Sequence, residues 1–425
     1  MIMKILFLSE NFPPETNAAA TRVYERACYW VEWGHEVTVI TCAPNFPHGR
    51  LFEGYKNRWF QGESMSGIKV IRVKTYIAPN EGIFKRTLDF LSFMVMGFAV
   101  GLFAEKPDLV AATSPQFFAA VAGWAVGAAR RVPFVFELGD LWPASIAAVG
   151  ALREGWVLRV IEKLELYLYR KAAAVVALTA SFKDNLVSRG VPAGKIGVVM
   201  NGVDVSRYGP RPRDQALAKQ WGLDGFFVIG YMGTHGMAHA LGNVLDTAER
   251  LRDVNTVRFL LVGGGAEREN LIADARRRNL DNLAFMPSQP KERMPAVWSL
   301  CDVALVHLKD SPVFAGVIPS KIFEAMGMGL PLLLAAPEGE ASRIILKEET
   351  GLWVPAEDPD ALAAAIRKLM TESEIRAAFA KKSLKTAPSY SRQHQARRMI
   401  EILEMVMGGG GGQIGLSADS EPVAP

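Results

Sequence analysis

Cysteine is nearly absent: Cys28, Cys42 and Cys301 are the only three in 425 residues, and no two stand close together. That excludes a disulfide framework and a Cys-ligated zinc site, and it suits a reducing compartment. Long apolar runs are missing too. The longest, Leu88 to Ala104, carries Asp89, Ser92 and two glycines, and it falls short of the ~20 residues a membrane span needs. The run Ile5-Leu6-Phe7-Leu8 leads into Asn11-Phe12-Pro13-Pro14 without a small-residue cleavage site, so a cytoplasmic location is expected. Net charge is only +4, with a pI near 8.8. This favours anionic ligands or an acidic membrane face and argues against nucleic acid. No G-x-G-x-x-G, P-loop or G-x-S-x-G occurs. The six histidines (His35, His48, His235, His239, His307 and His394) give one i,i+4 pair, His235 and His239, with no third ligand nearby. No metal and no cofactor is therefore expected. Asp358-Pro359-Asp360 looks like a metal motif but immediately precedes a helix, so it reads as a capping turn.

What is present is ordinary globular composition, 50% hydrophobic and 22% charged, in a chain long enough for two domains. Short apolar runs alternate with amphipathic segments, the pattern of parallel sheets covered by helices. Strands are expected at 4–10, 36–41, 68–75, 109–112, 134–138, 175–178 and 196–200, with helices near 18–33, 84–104, 115–130, 153–171 and 180–189. A second series of strands follows at 226–231, 257–262, 283–285, 302–306, 332–335 and 352–354. Its helices fall near 238–251, 266–279, 292–300, 321–328, 340–347 and 361–371. The Pro-, Gly- and Arg-rich stretch between the two series reads as a linker. The expected layout is a first domain over 1–203, a linker over 204–224 and a second domain over 225–390. A helix over 391–407 and a disordered Gly-rich tail over 408–425 complete it. The fold class is α/β, two Rossmann-like doubly wound domains facing each other across a cleft.

Five segments carry chemistry. After the first strand, Asn11 to Arg22 includes Ala18 and Ala19, small enough for close ligand approach at a helix N-terminus, with Arg22 adding charge one turn in. The equivalent place in the second domain is Gly230-Tyr231-Met232-Gly233-Thr234-His235-Gly236, suited to a diphosphate, with His235 as a hydrogen-bond donor. Gly263-Gly264-Gly265 follows the next strand and permits a base or ribose to approach. Pro319 and Ser320 start a helix with Lys321 in its first turn. A cation beside the positive helix end is misplaced unless an anion sits there. Glu324, one turn later on the same face, is placed to accept hydrogen bonds from vicinal hydroxyls. Finally, Glu137 and Asp140 put carboxylates at the exit of a buried strand, next to Trp142, where a cleft would give them a reason. Plain βα turns, a solvated Lys–Glu pair and a capping role for Asp140 are the competing readings.

Taken together, the motifs resemble family 4 glycosyltransferases of the GT-B fold, over about residues 3 to 405. The most specific elements are Gly34-His35-Glu36-Val37-Thr38-Val39, Val199-Met200-Asn201-Gly202-Val203-Asp204, the Gly263–Leu271 loop, and Pro319 to Pro331 with Gly351-Leu352. Pro13-Pro14-Glu15, Asp140-Leu141-Trp142-Pro143 and Pro319-Ser320-Lys321-Ile322-Phe323-Glu324 are similar to sugar transferases of O-antigen and capsule clusters, among them the N-acetyl-L-fucosamine transferases. The resemblance implies a nucleotide diphosphate sugar donor in the C-terminal domain, UDP favoured over GDP. It implies a saccharide or lipid-linked acceptor on the N-terminal domain and retention of anomeric configuration. By position, Glu324 would bind the ribose. Gly316, Val317 and Ile318 would offer N–H groups near the diphosphate, with Gly233 and Thr234 on its other side. Asp140 falls close to where relatives keep a catalytic-cleft His or Asp.

Two departures stand out. The family's Glu-x7-Glu pattern would place a glutamate at 316, where this chain has Gly316, and the usual Arg and Lys after the first C-domain strand are missing. Lys321, His235 and helix N-termini are then the candidates for stabilising the leaving diphosphate. The aromatic, apolar segment from Phe84 to Met96, with Lys85 and Arg86 near its start, offers a surface for the cytoplasmic face of the inner membrane, or else a buried crossover helix. Three other readings stay open: a sugar-nucleotide epimerase of the same fold, a nicotinamide oxidoreductase, and a non-catalytic scaffold of a polysaccharide-assembly complex.

Overall fold

Residues 109–113, Leu-Val-Ala-Ala-Thr, are buried at every position, as a strand covered by helices on both faces must be. In the computed structural model, which describes residues 1–46, 48–78, 83–114, 116–141, 155–409 and 414, this run is one of eight strands in a first sheet. They are β1 (Lys4–Leu8), β2 (Glu36–Cys42), β3 (Phe60–Met65), β4 (Ile68–Val73), β5 (Leu109–Thr113), β6 (Phe134–Leu138), β7 (Ala174–Ala177) and β8 (Ile196–Val198). Their spatial order is β3-β4-β2-β1-β5-β6-β7-β8. All pairings are parallel except β3 with β4. The period of two is visible in β1. Ile5 and Phe7 enter one core with Trp30, while Leu6 and Leu8 enter the other with Phe93 and Phe117.

A second sheet holds β9 (Phe227–Met232), β10 (Val257–Val262), β11 (Leu283–Met286), β12 (Val303–His307), β13 (Leu332–Ala335) and β14 (Gly351–Val354). Its order is β11-β10-β9-β12-β13-β14, all parallel. The order reverses between β9 and β12, which is where doubly wound sheets leave a crevice at the carboxyl ends of their strands.

The chain divides into two compact units, Met1–Asn201 with Gln393–Pro425, and Gly202–Arg392. Helix Arg392–Met407 accordingly packs on the first unit, where Trp30 is fully buried and its Nε1 donates to Ala396 O at 3.1 Å. Truncating such a Trp typically costs about 3–5 kcal/mol. The linker expected at 204–224 is a correction: this stretch is built into the second unit. Tyr208, Leu217, Ala218 and Leu223 are buried, and Asp214 caps the short helix Gln215–Gln220. Arg213 donates to Asp302 and to the Leu300 carbonyl. Turn-forming residues between buried ones had disguised it.

Two further elements differ from expectation. β3 is an edge strand whose exposure alternates, joined to β4 by a tight turn with positive φ at Ser66 and Gly67. Its polar sequence lacks the apolar run that signals a buried strand. Helix Ser373–Thr386 has no counterpart among the expected elements, because few of its residues are buried and it carries no clear apolar stripe. As expected, Asp358 caps helix Pro359–Thr371, its Oδ1 accepting from Asp360 N and Ala361 N. Of the tail read as disordered, 410–413 and 415–425 lie outside the described residues, while Ile414 is buried in the first unit's core.

Candidate active site

β9 ends at Met232, and Gly233 follows with a φ of +138°. A Cβ there would stand 2.9 Å from Lys321 Nζ, and one on Gly263, after β10, would stand 1.8 Å from the Gly233 carbonyl oxygen. The two turns therefore nest only as glycines. Backbone bonds lace them together: Gly233 N to Val262 O at 2.9 Å, His235 N to Gly264 O at 2.8 Å and Glu267 N to His235 O at 3.0 Å.

The start of helix Lys321–Met328 and these turns line an open pocket of about 430 Å³. Lys321 is 9% exposed, and its Nζ has no hydrogen-bond partner among the described residues. It sits 3.8 Å from the centroid of the Tyr231 ring, a cation–π contact that offsets part of the lost hydration. Burial pulls its pKa down to about 7, with Glu324 opposing the shift. Glu324, one turn later, also lines the pocket; its Oε2 accepts from Trp298 Nε1 at 3.3 Å, and burial raises its carboxyl pKa. A buried, unpartnered ammonium over glycine turns, with a carboxylate a turn away, suits a polyanion that also carries hydroxyls.

The sequence-expected residues divide. Gly233, Thr234, Gly263, Gly264, Ser320, Lys321 and Glu324 line this pocket. Gly265, Gly316, Val317, Ile318 and His235 are not among its lining residues. His235 is a correction: its side chain turns inward, fully buried, with its ring 6.3 Å from that of Phe285 and both ring nitrogens without a hydrogen-bond partner among the described residues. Burial, reinforced by Arg268 and Lys321, brings its pKa down to about 4, so it carries no charge to offer a phosphate at neutral pH. Gly265 is pressed beneath it, where a Cβ would stand 2.4 Å from the His235 carbonyl oxygen. Gly316 closes the short 3₁₀ turn Pro312–Gly316, and Ile318 is buried.

The first unit holds a different arrangement. Arg22 is buried and committed inward, Nε to Glu137 Oε1 at 3.0 Å and Nη2 to Thr113 Oγ1 at 3.1 Å. Arg26 Nη1 reaches the same Oε1 at 2.5 Å. Burial alone would raise the Glu137 pKa, but the two guanidiniums hold it at about 2. Arg22 and Glu137, expected to face an acceptor, are thus corrected to an internal ion pair. Ala18 is exposed and Ala19 buried at the start of helix Ala18–Glu32, where Asn17 caps the Ala20 N–H. Asp140 is half-buried beyond the end of β6, and Trp142 lies outside the described residues.

The pattern matches known proteins over both halves. A glycosyl transferase 4-like domain matches residues 17–202, and the glycosyl transferases group 1 model matches residues 214–386. Among relatives, WcaI of Escherichia coli K12, a glycosyl transferase provisionally assigned to colanic acid biosynthesis, is 27% identical over 87% of this chain and 92% of its own. A GDP-mannose-dependent alpha-mannosyltransferase of Mycobacterium tuberculosis is 26% identical over 86% of this chain and 89% of its own. Among solved structures, sucrose-phosphate synthase from Thermosynechococcus elongatus superposes with a TM-score of 0.76 at 17% identity, covering 95% of this chain and 99% of that one. Anabaena HepE in complex with UDP-glucose gives 0.72 at 19%, with the same coverage. The chain is a GT-B glycosyltransferase.

Several lining residues of this glycosyltransferase's pocket lie outside the segments singled out in the sequence: His239, Ser288, Gln289, Lys291 and Met294. The four from Ser288 to Met294 follow β11, and the rule that ligands gather at strand carboxyl ends could have found them. His239 was set aside with His235 as a weak metal pair, yet the two point to different places. Among the described residues no group of three His, Cys, Asp or Glu side chains is arranged to hold a metal. Helix Lys85–Phe103, in contrast to the sequence estimate, is long and apolar enough by length and composition to cross a membrane. Phe93 of this helix is buried in the core, whereas Val95 and Phe103 are exposed.

Proposed function

We propose that this glycosyltransferase transfers a sugar, with retention of configuration, from a nucleoside diphosphate donor held in the second unit to a saccharide or lipid-linked acceptor of surface polysaccharide synthesis. One observation carries the reading: the buried Lys321 ammonium, without a hydrogen-bond partner among the described residues, facing a glycine-walled pocket with Glu324 one turn away. Glu324 binds the ribose hydroxyls. Lys321 and the N–H groups of the Gly233–Thr234 turn meet the diphosphate, where charge grows as the glycosyl–phosphate bond breaks. A donor phosphate oxygen takes the acceptor proton during same-face attack, Asp140 orients the acceptor, and no metal is needed.

UDP is the favoured nucleotide, with GDP second; HepE binds UDP-glucose, whereas the mycobacterial relative uses GDP-mannose. Thermal stabilisation by UDP, GDP, ADP, CMP, dTDP and NAD tests the reading. One diphosphate should stabilise selectively, and Glu324→Ala should weaken its effect about tenfold in ligand concentration. No shift with any nucleotide sinks the donor site and favours the scaffold, and a shift with NAD alone points to an oxidoreductase. The exposed face of helix Lys85–Phe103, with Lys85 and Arg86 at its start, rests on the anionic cytoplasmic leaflet. Flotation with anionic liposomes at low salt should recover the protein, and absence from the lipid fraction rejects that contact.

A further inference from the structure

The order β11-β10-β9-β12 sets the strand ends along one edge, spanning ~14 Å at the usual strand spacing. The pocket follows this edge from Ser288 and Gln289, after β11, to His239, after β9. His239 in turn reaches across to His307 at the end of β12. Glu324 is bonded to Trp298, which lies in the helix following β11, while Lys321 stacks on Tyr231 of β9. On the donor reading above, the nucleoside lies at the β11 end and the diphosphate near β9. His239 then stands where the transferred sugar begins.

The hydrogen bonds of His239 fix what it can recognise. His307 Nδ1 is 2.8 Å from the His239 carbonyl oxygen, which only accepts, so Nδ1 carries the proton. Its Nε2 is left to accept from the Asn243 amide nitrogen at 2.8 Å. By the same logic His239 Nδ1, 3.3 Å from the His307 carbonyl oxygen, is the protonated nitrogen of its ring. Burial first, and Lys321 second, lower the His239 pKa to about 4, so the ring is neutral and its Nε2 is a bare lone pair. A phosphate oxygen opposite that lone pair would be repelled, whereas a hydroxyl or amide N–H would be bound.

We propose that His239 is a specificity-determining contact, its Nε2 accepting a hydrogen bond from a hydroxyl or amide N–H of the transferred sugar. The His307 carbonyl sets its tautomer, and the His307 ring, itself oriented by Asn243, anchors the His239 backbone, so His307 and Asn243 are the positioning residues. The inference rests on the donor reading. Calorimetry on the full chain with UDP, UDP-glucose, UDP-N-acetylglucosamine, GDP and GDP-mannose tests it. The wild type should bind at least one sugar nucleotide more tightly than its bare diphosphate. His239→Ala should weaken that sugar nucleotide about five- to tenfold and the bare diphosphate less than twofold. In His239→Gln, an amide oxygen should restore part of the gain, and Asn243→Ala should weaken the sugar nucleotide alone. Equal weakening of both ligands makes His239 a diphosphate contact and overturns the proposal, as does unchanged binding of both or no gain from any sugar. If no nucleotide binds the wild type, the donor reading falls and this inference falls with it.

Discussion

Each unit buries a charge beside a βα turn, and the two are treated in opposite ways. Glu137 in the first unit has its Oε1 held by both Arg22 and Arg26, and the attraction of the two guanidiniums outweighs its lost hydration, although its Oε2 has no hydrogen-bond partner among the described residues. Lys321 in the second has an aromatic face and a carboxylate a turn away, but no hydrogen-bonded partner among the described residues. Proteins seldom leave an ammonium in that condition, because an unpaired buried charge costs several kcal/mol. A charge that is matched internally serves the scaffold. A charge that is left unmatched awaits something from outside.

The sharpest way to break the contrast is to remove each charge in turn. Glu137→Leu leaves two buried guanidiniums without their carboxylate, and denaturant unfolding should show a loss of about 3–5 kcal/mol. In the wild type this stabilisation is present above the unfolded carboxyl pKa of 4.5 and is lost as pH falls through about 2. Acid unfolding of a Glu137→Gln protein that still folds should be flatter across that window. An unchanged acid limb would mean that the carboxylate is not what holds the arginines.

Lys321→Met should act on the reaction and spare the fold. Loss of preorganised charge at the leaving diphosphate should lower kcat/KM about 100- to 1000-fold, with a melting temperature equal to or above that of the wild type. Because the folded pKa of about 7 lies below the unfolded 10.5, the unfolded chain binds more protons between these values. Stability should therefore rise with pH across that window in the wild type and not in the variant. Donor affinity should fall over the same range, since the bound diphosphate needs the protonated amine. A melting temperature that drops sharply in Lys321→Met would make the lysine structural after all.

How much of this was legible follows from the range of the interactions. The strands announced themselves through apolar runs, and Lys321 through a cation at the wrong end of a helix, both local signals. The fate of Arg22 was not legible, because Glu137 lies 115 positions away and only the β1-β5-β6 order brings them together. The same holds for His239, whose partner His307 is 68 positions distant. His235 was misassigned for a subtler reason. Its glycine-rich surroundings suggested room for a ligand, and the glycines in fact let the two turns and the imidazole pack against one another.

The path of the backbone through the second unit has a consequence for inheritance. Val203 and Ser391 pair side by side, with Val203 N bonded to Tyr390 O and Arg392 N to Val203 O. Everything between them is one continuous stretch of chain whose two ends leave from the same spot. Such a cassette is transplantable: recombination at two neighbouring joints replaces the whole pocket at once, whereas replacing the first unit requires two separate pieces. New donor preferences are thus open to this fold by cut and paste as well as by gradual point mutation.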